Sequence, residues 1–273
     1  MIRRFAVPIA LLAASTASAH EFWLSPSTYG AAARDTVAVS TWAGTGFRGE
    51  PKPWAAPRAI RFALRTTREF DLRPAATNGD LTWARLVLPD DGGAMIGYES
   101  NFAHIELEAG EFDRYLALEG LDGPLRARAK LGGRAGPGRE RYARCPKTWV
   151  AGAEAKRAMA PLGLSLELVP LGDPSAAPLR LRLLDHGKPL AGALVRAWNR
   201  PLAGAGRPAD PAARDSVGMV AEARTDARGM VTLDTSRAGE WLVSAVHMTA
   251  SEDRTEADWQ SRWASLTFAR ESK

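Results

Sequence analysis

Four residues of the 273-residue sequence carry imidazole, a good ligand for nickel, copper and zinc: His20, His104, His186 and His247. His20 stands out because residues 1–19 have the features of a secretory signal peptide. Arg3 and Arg4 form the positive start, an apolar run follows, and Ala17-Ser18-Ala19 has the small residues of a cleavage site. The sequence therefore predicts that His20 lies at or near the amino terminus of an exported protein.

Two cleavage positions give His20 two different ways to bind a metal. Cleavage after Ala19 makes His20 the first residue, so that its terminal amine and imidazole chelate one ion as a histidine brace. Cleavage after Ala17 leaves Ser-Ala-His, in which the amine, two deprotonated amides and the imidazole form a square-planar set for Cu(II) or Ni(II). The alternative is that His20 only begins the first strand, with Phe22, Trp23 and Leu24 packing behind it.

His247 is the expected additional ligand. In GEWLVSAVHM, residues 239–248, strand alternation puts His247 on one face with Trp241, Val243 and Ala245. A histidine at the end of such an apolar row is expected at the rim of a sheet. Met248 faces the opposite way, and its thioether would suit a cuprous ion, which makes it a weaker candidate. The alternative is that His247 is an ordinary residue of the core or the rim.

The two remaining histidines are weaker candidates. His104 shares a strand face with Glu106 and Glu108, so this face is predicted to be solvated, with a supplementary ligand as the alternative. His186 lies in the turn sequence DHGKP and is expected to be exposed.

Composition narrows the class of protein. Apolar residues make up 45% of the chain, enough for a packed core, and the formal net charge of +5 is spread along the sequence, which argues against nucleic-acid binding. The single cysteine, Cys145, cannot form an internal disulfide and is expected as a buried, inert thiol. Beyond the signal no stretch is long and apolar enough for a membrane helix, so the mature chain is predicted to have no transmembrane segment.

Short strands separated by turn residues dominate the mature sequence. Alternating residues predict strands over 35–44, 59–67, 81–89 and 93–100, and the turn 90–93 predicts a hairpin between the last two. One helix is predicted in AGEFDRYLALEGL, residues 109–121, with Gly120 as its stop.

A second series of short predicted strands begins near Leu164. The pattern predicts an all-β protein of two sandwich-like domains, with one short helix in the first. The predicted boundaries are 1–19 for the signal peptide, 20–163 for the amino-terminal domain and 164–273 for the carboxy-terminal sandwich. The core of the second domain is predicted to contain Leu181, Leu183, Val195, Val231, Leu233, Trp241, Val243 and Leu266.

Seven segments, in order, resemble an uncharacterised exported bacterial family that is grouped with the periplasmic component of nickel/cobalt uptake systems. They are HEFWLSP, IELEAGEFDRYLALEGLD, RERYARCPKTWV, GKPLAGALVRAWN, TDARGMVTLD, GEWLVSAVHM and ADWQSRWASLTF. The resemblance implies a periplasmic protein with an immunoglobulin- or transthyretin-like carboxy-terminal part. It also implies nickel or cobalt as the ion and a membrane transport complex as a partner.

Three functions are compatible with these residues. The first is a periplasmic protein that binds nickel, cobalt or copper, among which the sequence does not discriminate. The second is a histidine-brace copper oxidoreductase acting on a polysaccharide or similar substrate, which requires His20 to be the first residue, a second histidine, and a flat, exposed aromatic face. The third is a non-catalytic adhesion or scaffold module, which requires no metal.

Overall fold

The computed structural model describes residues 21–88, 93–152, 158–204, 206–210 and 217–271. The predicted signal peptide and His20 therefore lie outside the described residues. Within the described ranges the chain is mainly β-structure and sandwich-like, which confirms the predicted fold class. The strands are β1 Glu21–Pro26, β2 Thr36–Thr45, β3 Arg48–Pro51, β4 Ala59–Arg65, β5 Glu69–Asp71, β6 Thr82–Val87, β7 Ala94–Ser100, β8 Ala103–Leu107, β9 Gly138–Val150, β10 Leu166–Pro170, β11 Leu179–Asp185, β12 Lys188–Pro189, β13 Leu194–Arg200, β14 Met219–Arg224, β15 Met230–Leu233, β16 Gly239–Ala250 and β17 Trp259–Arg270, and the helices are α1 Ala109–Leu118 and α2 Asp122–Ala129.

The described strands form three sheets. The first has the order β1-β2-β3 with β6 also paired to β2, and the second has the order β10-β11-β12 with β15 paired to β11. The large sheet has nine strands in the order β14-β13-β16-β17-β9-β7-β4-β5, with β8 also paired to β9. Pairing is parallel between β9 and β17 and antiparallel in the other pairs. The large sheet joins strands from both sides of the predicted domain boundary, which itself stays a prediction.

The large sheet is the middle of three layers. Alternate residues of its strands belong to two different cores: Ile96 and Val150 pack with the first sheet, whereas their neighbours Met95 and Trp149 pack with the second. Because side chains alternate between the faces of a strand, the first and second sheets lie on opposite faces of the large sheet. All eight predicted core residues of the carboxy-terminal part are buried in the core between the large sheet and the second sheet.

The predicted hairpin between residues 81–89 and 93–100 is wrong. Both strands exist, but β6 pairs with β2 in the first sheet, whereas β7 pairs with β4 and β9 in the large sheet. Residues 90–92 of the predicted turn, and residue 89 before it, lie outside the described residues. β7 is buried along almost its whole length, a pattern typical of an interior strand with a neighbour on each side. The residues of a turn therefore do not determine whether the two flanking strands pair with each other. β7 pairs instead with the two strands on either side of it in the large sheet.

The predicted helix is confirmed as α1, and a second helix, α2, follows it without having been predicted. Phe112, Tyr115 and Leu116 of α1 are buried, whereas Leu118 is 71% exposed and is not part of the packed face. Gly120 ends the turn after α1 with a φ of +63°, a conformation that favours glycine. Among the described residues, no helix is long and apolar enough to cross a membrane.

Candidate functional site

The first described strand is held firmly on both sides. β1 pairs with β2 over its whole length. Its other side lies against the large sheet, where the Ser265 hydroxyl donates to the Phe22 carbonyl over 2.7 Å and the Thr267 hydroxyl donates to the Leu24 carbonyl over 2.7 Å. The chain that follows His20 therefore has a fixed position on the large sheet.

His247 lies on the other face of that sheet. It is paired with Arg262 of β17, and directly paired residues share a face. Arg262 and Ser265 are three residues apart on the same strand, so their side chains point to opposite faces. His247 thus points away from β1 and toward the second sheet. Trp241 and Val243 belong to the core between the large sheet and the second sheet. This position confirms the predicted face that His247 shares with them.

Two histidines meet around one carboxylate on the side of the second sheet. The His247 Nε2 atom lies 3.9 Å from Asp185 Oδ2, and the His186 Nδ1 atom lies 3.0 Å from Asp185 Oδ1. Burial lowers the pKa of His247, and Arg262 and His186 lower it further, whereas Asp185 raises it. His186 is exposed in its turn, as predicted. The proximity of these histidines was not predicted, since they lie sixty-one positions apart in the chain.

The weaker candidates lie apart from this group. His104 is 53% exposed, with its Nε2 atom 3.8 Å from Glu256 Oε2, and Glu106 and Glu108 beside it are also exposed. The predicted solvated face is therefore confirmed. Met248 is buried in the apolar cluster under α1 and α2, on the face opposite to His247.

Within the described part of the chain, no group of three or more His, Cys, Asp or Glu side chains is arranged to hold a metal ion. Cys145 is fully buried, and burial raises the pKa of its thiol to about 12. The predicted burial of this thiol is confirmed.

Glu21, the first described residue, has an unusual environment. It is only 3% exposed, and its Oε2 atom has no hydrogen-bond partner. Burial, and secondly the charge of Glu119, raise the pKa of Glu21 to about 7. Its own backbone N–H, Arg196 and Arg144 act in the opposite direction. A buried carboxyl oxygen without a hydrogen-bond partner is costly, and burial therefore favours the neutral form of Glu21.

The side chains around Glu21 are themselves charged and largely buried. Glu119, at the end of α1, binds Arg196 of β13 over 3.0 Å. Burial raises the pKa of Glu119, and Arg196 counteracts this effect. The Arg144 guanidinium lies 4.8 Å from the ring centres of both Tyr142 and Trp263, and burial lowers its pKa. Arg144 therefore carries its charge between aromatic rings.

Glu140 of β9 completes this group. Its carboxylate accepts hydrogen bonds from the Ser261 hydroxyl and, over 3.2 Å, from the Tyr115 hydroxyl. Burial raises the pKa of Glu140 to about 7. We name Glu21, Glu119, Glu140, Arg144 and Arg196 the buried charge cluster. Because the pKa values of Glu21 and Glu140 are raised to about 7, these two carboxyl groups are largely neutral below pH 7, and the three carboxyl groups outweigh the two guanidinium groups only when all of them are ionised.

Sequence reasoning missed the buried charge cluster. One signal was present, because Glu21 and Arg144 interrupt stretches, HEFWL and RYARCP, that otherwise read as buried strands. Their partners come from α1 and β13, and nothing local in the sequence connects these elements.

The fold and the site define a mainly β protein whose first described strand is fixed beside the buried charge cluster. The chain belongs to the family described as Domain of unknown function (DUF4198), whose model matches residues 17–249. No curated protein matches the chain significantly.

Proposed function

We propose that this is an exported, periplasmic protein that binds one nickel, cobalt or copper ion at His20, the first residue after removal of the signal peptide. The terminal amine and the imidazole belong to the same residue, so chelation orders few additional groups. Nitrogen ligands of this kind suit late divalent transition metals.

The observation that carries this proposal is the position of β1. Hydrogen bonds from Ser265 and Thr267 fix the strand that follows His20, and this strand begins with the buried side chain of Glu21. A terminal metal site requires that the strand next to the amino terminus has a fixed position.

His247 is not part of this proposed ligand set. The prediction that it joins His20 stays a prediction, since His20 lies outside the described residues. The large sheet nevertheless separates His247 from β1, and the nearest carboxylate to His247 is that of Asp185.

Metal binding is favoured over histidine-brace oxidation of a polysaccharide by the placement of the aromatic residues. Of the nine tryptophans, seven are buried, and Trp42 and Trp259 are half-buried. The tryptophans therefore offer no flat, exposed face on which sugar rings could stack. The resemblance to a family grouped with nickel/cobalt uptake systems supports delivery of the ion to a membrane transport complex, as part of the same proposal.

Titration calorimetry on the exported protein tests the proposal. Intact mass first establishes that the chain begins at His20, and Ni(II), Co(II) and Cu(II) are then titrated separately. We expect His20→Ala to weaken binding of the preferred ion at least about tenfold, which is about 1.4 kcal/mol. His104→Ala, which removes an exposed histidine, is the control and should bind like the wild type. Equal affinities of the wild type and His20→Ala would overturn the proposal.

A further inference from the structure

We propose that the outer surface of the two helices, α1 and α2, binds the surface of a membrane that contains anionic lipids. This inference goes beyond the proposed function and does not depend on metal binding. Six exposed residues carry it, and we name them the helical surface: Arg114, Leu118, Arg126, Lys130, Leu131 and Arg134.

The first reason is that the acidic side chains of the helices are engaged within the protein. Four acidic residues lie between positions 109 and 134. Three of them form ion pairs with arginines, which are Glu119 with Arg196 at 3.0 Å, Asp122 with Arg224 at 3.1 Å and Asp113 with Arg128 at 2.6 Å. The fourth, Glu111, lies in the first turn of α1. Most of the negative charge of the helices is therefore neutralised by the protein itself.

The second reason is the set of cations that these ion pairs leave over. Residues 123–139 contain five basic residues and no acidic residue. Two of the five form ion pairs with aspartates. The other three, Arg126, Lys130 and Arg134, are exposed and have no ion-pair partner in the described part of the chain. Arg126 and Lys130 are four positions apart, so their side chains are neighbours on one face of α2. The net charge of the sequence is thus sorted by the fold, and this surface is positive.

The third reason is that exposed leucines accompany the cations. Leu118, at the end of α1, is 71% exposed, and Leu131, directly after Lys130, is 47% exposed. Arg114 is exposed one turn before Leu118, and α1 and α2 contact each other. Cations beside exposed leucines are typical of a surface that lies at a membrane, where the cations attract anionic headgroups and the apolar side chains enter the boundary of the acyl chains.

The composition of the helical surface favours a lipid partner over an acidic protein. Protein–protein interfaces are enriched in aromatic side chains, and the residues that contribute most to their affinity are often tryptophan and tyrosine. The helical surface has four cations, two leucines and no aromatic side chain. A membrane surface requires only positive charge and a few apolar side chains, so it matches this composition.

Vesicle sedimentation tests the inference. The exported protein is used after its intact mass has confirmed removal of the predicted signal peptide, which would itself bind lipid. We expect it to bind vesicles of equimolar phosphatidylglycerol and phosphatidylcholine at least about tenfold more tightly than vesicles of phosphatidylcholine alone. The triple variant Arg126→Gln/Lys130→Gln/Arg134→Gln should lose at least about tenfold in affinity for the anionic vesicles, because each cation near an anionic surface strengthens binding severalfold. Glutamine forms helices about as well as lysine and arginine, so α2 should stay folded.

A second triple variant is the matched control. Arg48→Gln/Arg85→Gln/Arg180→Gln removes three exposed cations from strands of the first and second sheets and has the same net charge as the first triple variant. It should bind the anionic vesicles like the wild type. Equal losses in the two triple variants would show that net charge alone attracts the protein, and would overturn the inference.

The leucines are tested separately. Leu118→Ala/Leu131→Ala keeps every charge and removes the apolar contacts, so we expect binding to the anionic vesicles to weaken severalfold. Unchanged binding would contradict a contact between these leucines and the membrane. A wild-type protein that does not bind the anionic vesicles would overturn the whole inference and leave an acidic protein as the partner to test.

Discussion

Ser265 of β17 donates its hydroxyl hydrogen to the backbone carbonyl of Phe22 over 2.7 Å, across 243 positions of the chain. The Thr267 hydroxyl donates an equivalent hydrogen bond to the Leu24 carbonyl. Together these two bonds hold the first described strand against the large sheet. The amino-terminal strand is therefore an integral part of the three-layer fold, and its position depends on residues near the other end of the chain.

Thr267→Val tests this attachment. The substitution keeps the shape of the side chain but removes the donor to the buried Leu24 carbonyl, so we expect a loss of about 1–3 kcal/mol in the free energy of unfolding. Urea unfolding gives the value. Thr249→Val, at an exposed position of β16, is the control and should change stability by no more than about 0.5 kcal/mol. Equal stability of the two variants would show that the bond contributes nothing.

Trp241→Ala tests the core between the large sheet and the second sheet. Trp241 is 1% exposed and stacks on Phe268 with ring centres 6.3 Å apart. Truncation of a buried tryptophan leaves a cavity, and we expect a loss of about 3–5 kcal/mol. Leu118→Ala, at a position that is 71% exposed, should cost less than about 0.5 kcal/mol. A loss below about 1 kcal/mol for Trp241→Ala in the same urea experiment would contradict the assigned core.

The pKa of Glu140 predicts a pH dependence of stability. Burial raises this pKa from 4.5 to about 7, although Ser261, Tyr115 and Arg144 act to lower it and Glu119 raises it further. The native state therefore binds the proton more tightly than the unfolded state does. The resulting stability is fully present below about pH 4.5 and is lost as the pH rises through about 7.

Urea unfolding of the wild type and Glu140→Gln between pH 4 and pH 8 measures this effect. We expect the wild type to lose stability relative to Glu140→Gln across the window of about pH 4.5 to 7, because glutamine does not titrate. Parallel curves for the two proteins would mean that Glu140 has the same pKa in the folded and unfolded states.

Local patterns predicted much of the fold correctly. Alternation located β2, β4, β6, β7 and β16, and helical spacing located α1. The carboxy-terminal core was also predicted, because period-two alternation already assigns Leu181 and Leu183 to one face of β11, and Trp241 and Val243 to one face of β16. These features depend on neighbours within a few residues, so the sequence reveals them directly.

Long-range pairing was not predictable in the same way. The two strands around residues 90–93 looked like a hairpin, yet they belong to different sheets, since β7 needs covering on both sides. The parallel pairing of β9 and β17 joins segments more than 110 positions apart, and no local sequence pattern indicates this pairing. The same limit applies to the site: the charge of Glu21 was visible, but its neighbours Arg196 and Glu119 come from distant elements.

Thermal unfolding with and without metal tests the terminal site most directly. Two proteins are compared: the chain that begins at His20, and the same chain with Gly-Ser-Gly-Ser placed before His20, which keeps the imidazole but moves the amine away. With free Ni(II), Co(II) or Cu(II) at a hundredfold excess over Kd, we expect the preferred ion to stabilise the first protein by about 2.7 kcal/mol, seen as a rise in Tm. The extended chain should show little or no rise. The same metal-dependent rise in both proteins would contradict a site built on the amino terminus of His20.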